Sequence, residues 1–105
     1  MTNTSECAIC GLEMKDILIA SHCKPWKHCN DMERLDVYNG ILLCPTHDAL
    51  FDKGLISFHD DGRIIISNRI KERENRVLNI SKEIRLNFKK EQIPYIKWHR
   101  ENEAQ

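Results

Sequence analysis

Two chelating pairs frame the first half of this chain. Cys7-Ala8-Ile9-Cys10 is followed, after 33 intervening residues, by Cys44-Pro45-Thr46-His47. A Cys-x-x-Cys or Cys-x-x-His pair places two ligands on one tight turn, so two such pairs can close a tetrahedron of sulfur and nitrogen around Zn2+. The segment between them must then be compact and bring the chain back to where it started. At 105 residues the chain reads as one domain, 1–105, with a small core, to whose stability a metal staple contributes substantially. We read Cys7, Cys10, Cys44 and His47 as ligands of a structural zinc. Two alternatives stay open. Cys7 and Cys10 could be a redox pair, although such pairs normally open a helix in a longer α/β chain. Alternatively, Cys23 or Cys29 completes the zinc site and His47 serves other chemistry. Cys23, next to His22 on a strand, is expected to face the opposite side as a small core residue, and Cys29 to be incidental.

Between and beyond the pairs, periodicity suggests a sequence of short elements. Gly11 closes a first knuckle over residues 5–12. Ile17-Leu18-Ile19-Ala20 reads as a buried strand running into Ser21-His22-Cys23 and stopped by Pro25. Residues 24–38 are polar and irregular and read as a long loop, which in a compact domain is often functional. Asn39-Gly40 signals a turn before a second strand, Ile41-Leu42-Leu43, that pairs with the first. Thr46 is expected to cap a short helix that Lys53-Gly54 ends. Leu55–Phe58, His59–Gly62 and Arg63–Ser67 form a hairpin, residues 68–82 a helix with Ile70, Val77 and Leu78 near one face, and Pro94 opens a last helix packed back through Tyr95 and Trp98. The expected class is α+β: a zinc-stapled ββα unit with an added β-hairpin and C-terminal helices.

Compartment and partners follow from composition. No apolar run approaches the roughly 20 residues needed to span a membrane, and MTNTSEC has no signal-peptide character, so a cytoplasmic protein with no membrane partner is expected. There, an odd count of five cysteines suits metal ligands or free thiols rather than disulfides. Formal charge is zero, but its distribution is uneven. Residues 1–62 carry five Lys/Arg against ten Asp/Glu, and residues 63–105 carry eleven against six. The basic half, with pairs such as Lys89-Lys90, could supply a phosphate-binding surface, while solvated helix faces explain any single charge equally well.

A second pattern interleaves with the chelating pairs: Ser21-His22, Asn39-Gly40, then Asp48 and Asp52. Hydrolysis of a phosphodiester needs a base for water, a cation to offset charge on the phosphate, and something to orient the base. His22 ends the first strand and is placed to be the base. Asp48 and Asp52, four apart on the expected helix, share a face and make a hard oxygen site suited to Mg2+ or Mn2+. Asn39 can hold the long loop over the His22 strand. Lys24, Lys27 and Arg34 are candidates for phosphate contacts and equally consistent with solvated loop charges. Trp26 could touch the nucleic acid or roof the core beneath the loop, of which the core role is expected.

At these residues the chain resembles the HNH endonuclease family, whose ββα-metal (His-Me finger) fold carries a base histidine, a loop asparagine and metal ligands on the helix. LIASHCKPW, ERLDVYNGILLCPTHDALFDKGLISFHDDGRIIIS and the closing IPYIKWHRENE are similar to the subgroup often found as the C-terminal module of restriction-type proteins. The resemblance runs from about Cys7 to Glu101. It implies a metal-dependent endonuclease acting on nucleic acid, with double-stranded DNA the expected substrate. By that resemblance His22 is the catalytic base, Asn39 the loop-orienting residue, and Asp48 and Asp52 the positions where many relatives carry histidines. Ser21 stands where many members have an acidic residue or histidine. A homodimer or a partner reader protein would be one way to select a target. The alternative function is a non-catalytic zinc module binding nucleic acid or protein, and a third reading is a thiol oxidoreductase acting through Cys7 and Cys10.

Overall fold

The structure, a computed structural model, describes residues 5–105. Its first element after the knuckle is a 3-10 turn, Lys15–Ile17, and strand β1 follows at Ile19–Ser21. β1 pairs antiparallel with β2, Ile41–Leu43, in the register Ile19↔Leu43, Ala20↔Leu42 and Ser21↔Ile41. The expected buried strand is therefore shorter and less covered than its apolar run suggested. With only one partner strand, Ile19 and Ala20 stay exposed and Ser21 is the buried residue of β1. The knuckle is stitched to the outer side of this hairpin by the Ala8 N–H donating to the Leu42 carbonyl at 2.8 Å.

The connection over residues 24–38 is not irregular as expected. It holds a 3-10 turn, Trp26–His28, and a short helix α1, Asp31–Leu35. Asn30 and Glu33 form a capping box: Asn30 Oδ1 accepts from the Glu33 N–H and Glu33 Oε1 from the Asn30 N–H, which satisfies two donors that a helix start leaves free. Helix α2 runs Pro45–Asp52. Its N-cap is Cys44 rather than Thr46, with Pro45 in the first turn, where its missing N–H costs nothing. At the other end the Gly54 N–H donates to Phe51 and the Leu55 N–H to Leu50, both carbonyls of the last turn. This is a Schellman closure with Gly54 at φ 70°. A Cβ on Gly54 would overlap the Glu103 carbonyl, so only glycine lets the chain's last turn lie against the end of α2.

Strands β3, Ile56–Phe58, and β4, Ile64–Ile66, form the expected hairpin. The expected helix over 68–82 is cut to α3, Glu72–Val77. It stops because Asn79 takes a left-handed φ of 57°, a conformation asparagine tolerates, with the Ile80 N–H returning to the Asn75 carbonyl at 2.9 Å. Val77, expected on the packed face, is 84% exposed. Helix α4, Ile93–Asn102, buries Tyr95, Ile96 and His99 against β3 and α2. The core lies between α2, the β3–β4 hairpin and α4, where Leu43, Phe51, Ile56, Phe58 and Ile96 are essentially inaccessible. The described residues form a small α+β fold of two hairpins and four α-helices, and no described helix is long and apolar enough to cross a membrane.

Candidate metal centre and hydrolytic site

The first knuckle and the start of α2 bring Cys7, Cys10, Cys44 and His47 together, with one ligand atom from each within 4.8 Å of all the others. His47 Nδ1 lies 3.5 Å from Cys7 Sγ and 3.4 Å from Cys44 Sγ, and the Cys10 and Cys44 sulfurs are 3.9 Å apart. Zinc bond lengths in a tetrahedron place sulfur about 3.8 Å from sulfur and about 3.6 Å from nitrogen. The spacings match. The imidazole is oriented from behind by Nε2–H donating to the Leu78 carbonyl at 2.9 Å, which leaves Nδ1 with its lone pair toward the sulfurs. Such a partner on the far ring nitrogen is the usual way a ligand histidine is held. Leu78 is the C-cap of α3, so its carbonyl has no partner along the helix. The early stop of α3 therefore supports the metal cluster.

Charge within the cluster fits the same group. Burial pushes the Cys7 thiol up, but the contact with the His47 ring and hydrogen bonds from the backbone outweigh it and bring it down to about 6. Cys10 is pushed up to about 11 by burial and by the neighbouring Cys7 and Cys44 sulfurs. Several thiolates this close repel one another unless a cation sits among them, and three soft sulfurs with one imidazole suit Zn2+. The cluster could hold a zinc ion. Among the described residues it is the one group of three or more Cys, His, Asp or Glu whose ligand atoms converge. Neither Cys23, wholly buried with its thiol pushed up to about 12 by burial, nor Cys29 belongs to it.

Away from the metal cluster, Ser21, His22, Asp48 and Asp52 line one cavity of about 280 Å3 together with Pro25 and the exposed Trp26. Successive helical residues point about 100° apart, so His47 faces the metal cluster while Asp48 faces this cavity. The Ser21 hydroxyl donates to Asp48 Oδ1, tying the end of β1 to the first turn of α2. His22, immediately after β1, is exposed. The ligand atoms of His22, Asp48 and Asp52 share the cavity but do not converge as the sulfurs and imidazole do. A larger concavity, about 690 Å3, lies between Cys10 and the turn at 79–84. It holds none of these groups, and the chemistry of the lining outweighs its size.

Asn39 is 2% exposed. Its Oδ1 accepts from the Lys24 N–H at 2.8 Å, and its Nδ2 donates to the Lys24 carbonyl at 3.1 Å and to Cys29 Sγ at 3.3 Å. Cys29, expected to be incidental, is thus a buried partner of Asn39. Lys24 does not point freely toward a phosphate: its ammonium pairs with Glu33 at 2.9 Å and lies 5.9 Å from the Trp98 ring centroid. Arg34 is stacked 5.1 Å from the centroid of Trp26. Trp26 itself does not roof the core; it is 57% exposed.

Two supports of the site come from the last helix: His99, which carried no clear signal in sequence, and Tyr95, whose packing was expected but whose partner was not. His99 stacks on Phe51 of α2, with centroids 3.7 Å apart and planes 4° from parallel. Its Nε2–H donates to the Phe51 carbonyl at 2.7 Å and its Nδ1 accepts from the Ser57 hydroxyl at 2.8 Å. Tyr95 donates to Asp36 at 2.6 Å, anchoring the end of the 24–38 connection to α4. This hydrogen bond holds the Asp36 carboxyl below the usual range.

Residues 7–59 match the sequence model of a family described as HNH endonuclease. Comparison with curated proteins finds no match.

Proposed function

The chain belongs to the HNH endonuclease family, and on that footing we propose that it hydrolyses phosphodiester bonds of duplex DNA, with His22 as general base and a Mg2+ or Mn2+ ion on Asp48 and Asp52. The observation that carries this reading is the meeting of His22, Asp48 and Asp52 in one cavity. The neutral imidazole of His22 takes the proton of the attacking water. Ser21 donates to Asp48 Oδ1, so Oδ2 would be the oxygen available to hold a cation. Mg2+ keeps much of its water shell and binds through one or two carboxylates, so an aspartate pair without a closed cage suits it. When bound, such an ion offsets the negative charge that builds on the phosphate and leaving oxygen. Asn39 positions rather than reacts. By gripping both backbone groups of Lys24 it holds the chain two residues beyond His22. Zinc on Cys44 and His47 fixes the start of the helix that carries the two aspartates.

The test is plasmid nicking by zinc-loaded protein with Mg2+ or Mn2+. His22→Ala should lower the rate by about 10²–10⁴, the usual contribution of a general base, with zinc content and fold unchanged. Asp48→Ala and Asp52→Ala should lose activity that excess Mn2+ partly restores. If His22→Ala cleaves at the wild-type rate, the base lies elsewhere. His59 is then the next residue to vary, although it lines a separate cavity with Arg63 and Arg100. Wild-type protein inactive on DNA and RNA with both ions would replace this reading with a zinc module that binds without cleaving.

A further inference from the structure

Trp26 stands where an indole normally would not. Large aromatics gain stability by burial, yet this ring is 57% exposed where it lines the cavity that holds His22, Asp48 and Asp52. It is nevertheless held in place. Pro25 fixes the chain entering the 3-10 turn, the His28 N–H donates to the Pro25 carbonyl at 2.9 Å and the Cys29 N–H to the Trp26 carbonyl at 3.0 Å. Arg34, on the capped helix α1, donates from Nε to the same carbonyl at 3.2 Å and sets its guanidinium 5.1 Å from the ring centroid. An exposed ring on a braced turn, with a cation stacked over one face, is a preorganised platform that the fold itself leaves more than half uncovered.

Beside a site for phosphodiester cleavage, the group that fits such a platform is a nucleobase, with the guanidinium close enough to meet the adjoining phosphate. A base inside an intact duplex already has both faces stacked on its neighbours. Only an unpaired or displaced base can offer a face to Trp26. Resting on the nuclease reading above, we propose that Trp26 is a substrate-positioning residue that stacks an unpaired base beside the scissile phosphate. The substrate class is then duplex DNA carrying a gap, flap or frayed end at the cut, rather than uninterrupted duplex.

The experiment compares kcat/KM on a duplex with a short single-stranded gap and on the same sequence fully paired, for wild type, Trp26→Phe and Trp26→Ala. Wild type should prefer the gapped substrate by about tenfold, the size of one base–aromatic stack. Trp26→Phe should keep most of that preference, and Trp26→Ala should abolish it, chiefly through KM on the gapped substrate. In parallel, Trp26 emission, read in a His22→Ala protein whose other tryptophan is removed by Trp98→Phe, should be quenched by the gapped substrate and little by the paired one. Wild-type cleavage without preference, or a Trp26→Ala protein with the preference intact, overturns the stacking role and leaves the nuclease reading standing. Wild-type protein that cleaves neither substrate overturns both.

Discussion

Replacing His99 with leucine tests whether the last helix holds α2 in place. The substitution keeps an apolar side chain at a site only 2% exposed, but it removes three things. It leaves the buried Ser57 hydroxyl without its partner at 2.8 Å, an orphan that costs about 1–3 kcal/mol. The Phe51 carbonyl loses its bond at 2.7 Å, worth about 0.5–1.5 kcal/mol because the Gly54 N–H still satisfies that oxygen. It also removes the stacked pair with Phe51, worth about 0.5–1.5 kcal/mol. Together the loss is about 2–6 kcal/mol, against a total stability on the order of 5–15 kcal/mol for a domain of this size. Burial holds the imidazole's pKa below its ordinary value, more than its contact with the Phe51 carbonyl raises it, which adds a pH dependence of known sign. A histidine with a depressed folded pKa contributes stability that is present above its unfolded pKa, near 6.5, and is lost as pH falls toward the folded value. Wild-type stability should therefore decline below about pH 6.5. Acid also releases zinc, so the quantity to read is the difference between wild type and His99→Leu. Urea unfolding of the zinc-loaded proteins at pH 7.5 and 5.5 should give a large difference at the higher pH and a smaller one at the lower. A loss under about 1 kcal/mol at pH 7.5, or a difference independent of pH, would refute the reasoning.

Two further outcomes are expected. Purified protein should carry about one zinc per chain, and Cys7→Ser or Cys44→Ser should unfold it, because a site of this kind can supply much of the folding free energy of a small domain; metal-free protein with a native circular-dichroism spectrum and a sharp melt would contradict this. Neutralising the exposed Lys89 and Lys90 should weaken DNA binding at every sequence and flatten its dependence on salt, since each phosphate contact releases counterions; an unchanged salt slope would class both as solvated surface charge.

The legible parts of the fold were those set by short-range chemistry. Ligand spacing on tight turns is local, so the four members of the metal cluster could be read from Cys-x-x-Cys and Cys-x-x-His alone. The order strand, connection, strand, helix followed from apolar runs and from Asn39-Gly40. The four-residue spacing of Asp48 and Asp52 placed both on one helix face, and they do line one cavity. Helix α1 was missed although its Asn30-x-x-Glu33 capping signature is visible, because its exposed Met32 and Leu35 give no amphipathic period to support it. The extent of α3 was overread for a different reason. Its apolar residues continue past Val77, but the chain turns at Asn79, and the Leu78 carbonyl meets a histidine 31 positions earlier. The packing of His99 on Phe51 and of Tyr95 on Asp36 depends on contacts 48 and 59 residues apart, which no local pattern encodes.

These long-range contacts converge on α2, which contributes residues to two sites. Cys44 and His47 turn inward to the metal cluster from its first turn, while Asp48 and Asp52 turn outward to the cavity, so a few degrees of helix rotation would disturb both. Eight residues are too few to hold a helix by propensity alone, so its orientation must be fixed from outside. A zinc ion on the Cys/His cluster would hold the start, and Ser21 ties the first turn to β1. His99 grips the middle through Phe51. The end is closed by Gly54, whose carbonyl accepts from the Gln105 N–H at 2.8 Å. Two of these four restraints come from residues beyond the segment 7–59 that carries the family match. Beyond the same segment, α3 also supplies the Leu78 carbonyl that orients His47. The later half of the chain is therefore part of the scaffold that aims Asp48 and Asp52, and substitutions there should disturb the cavity without touching any residue that lines it.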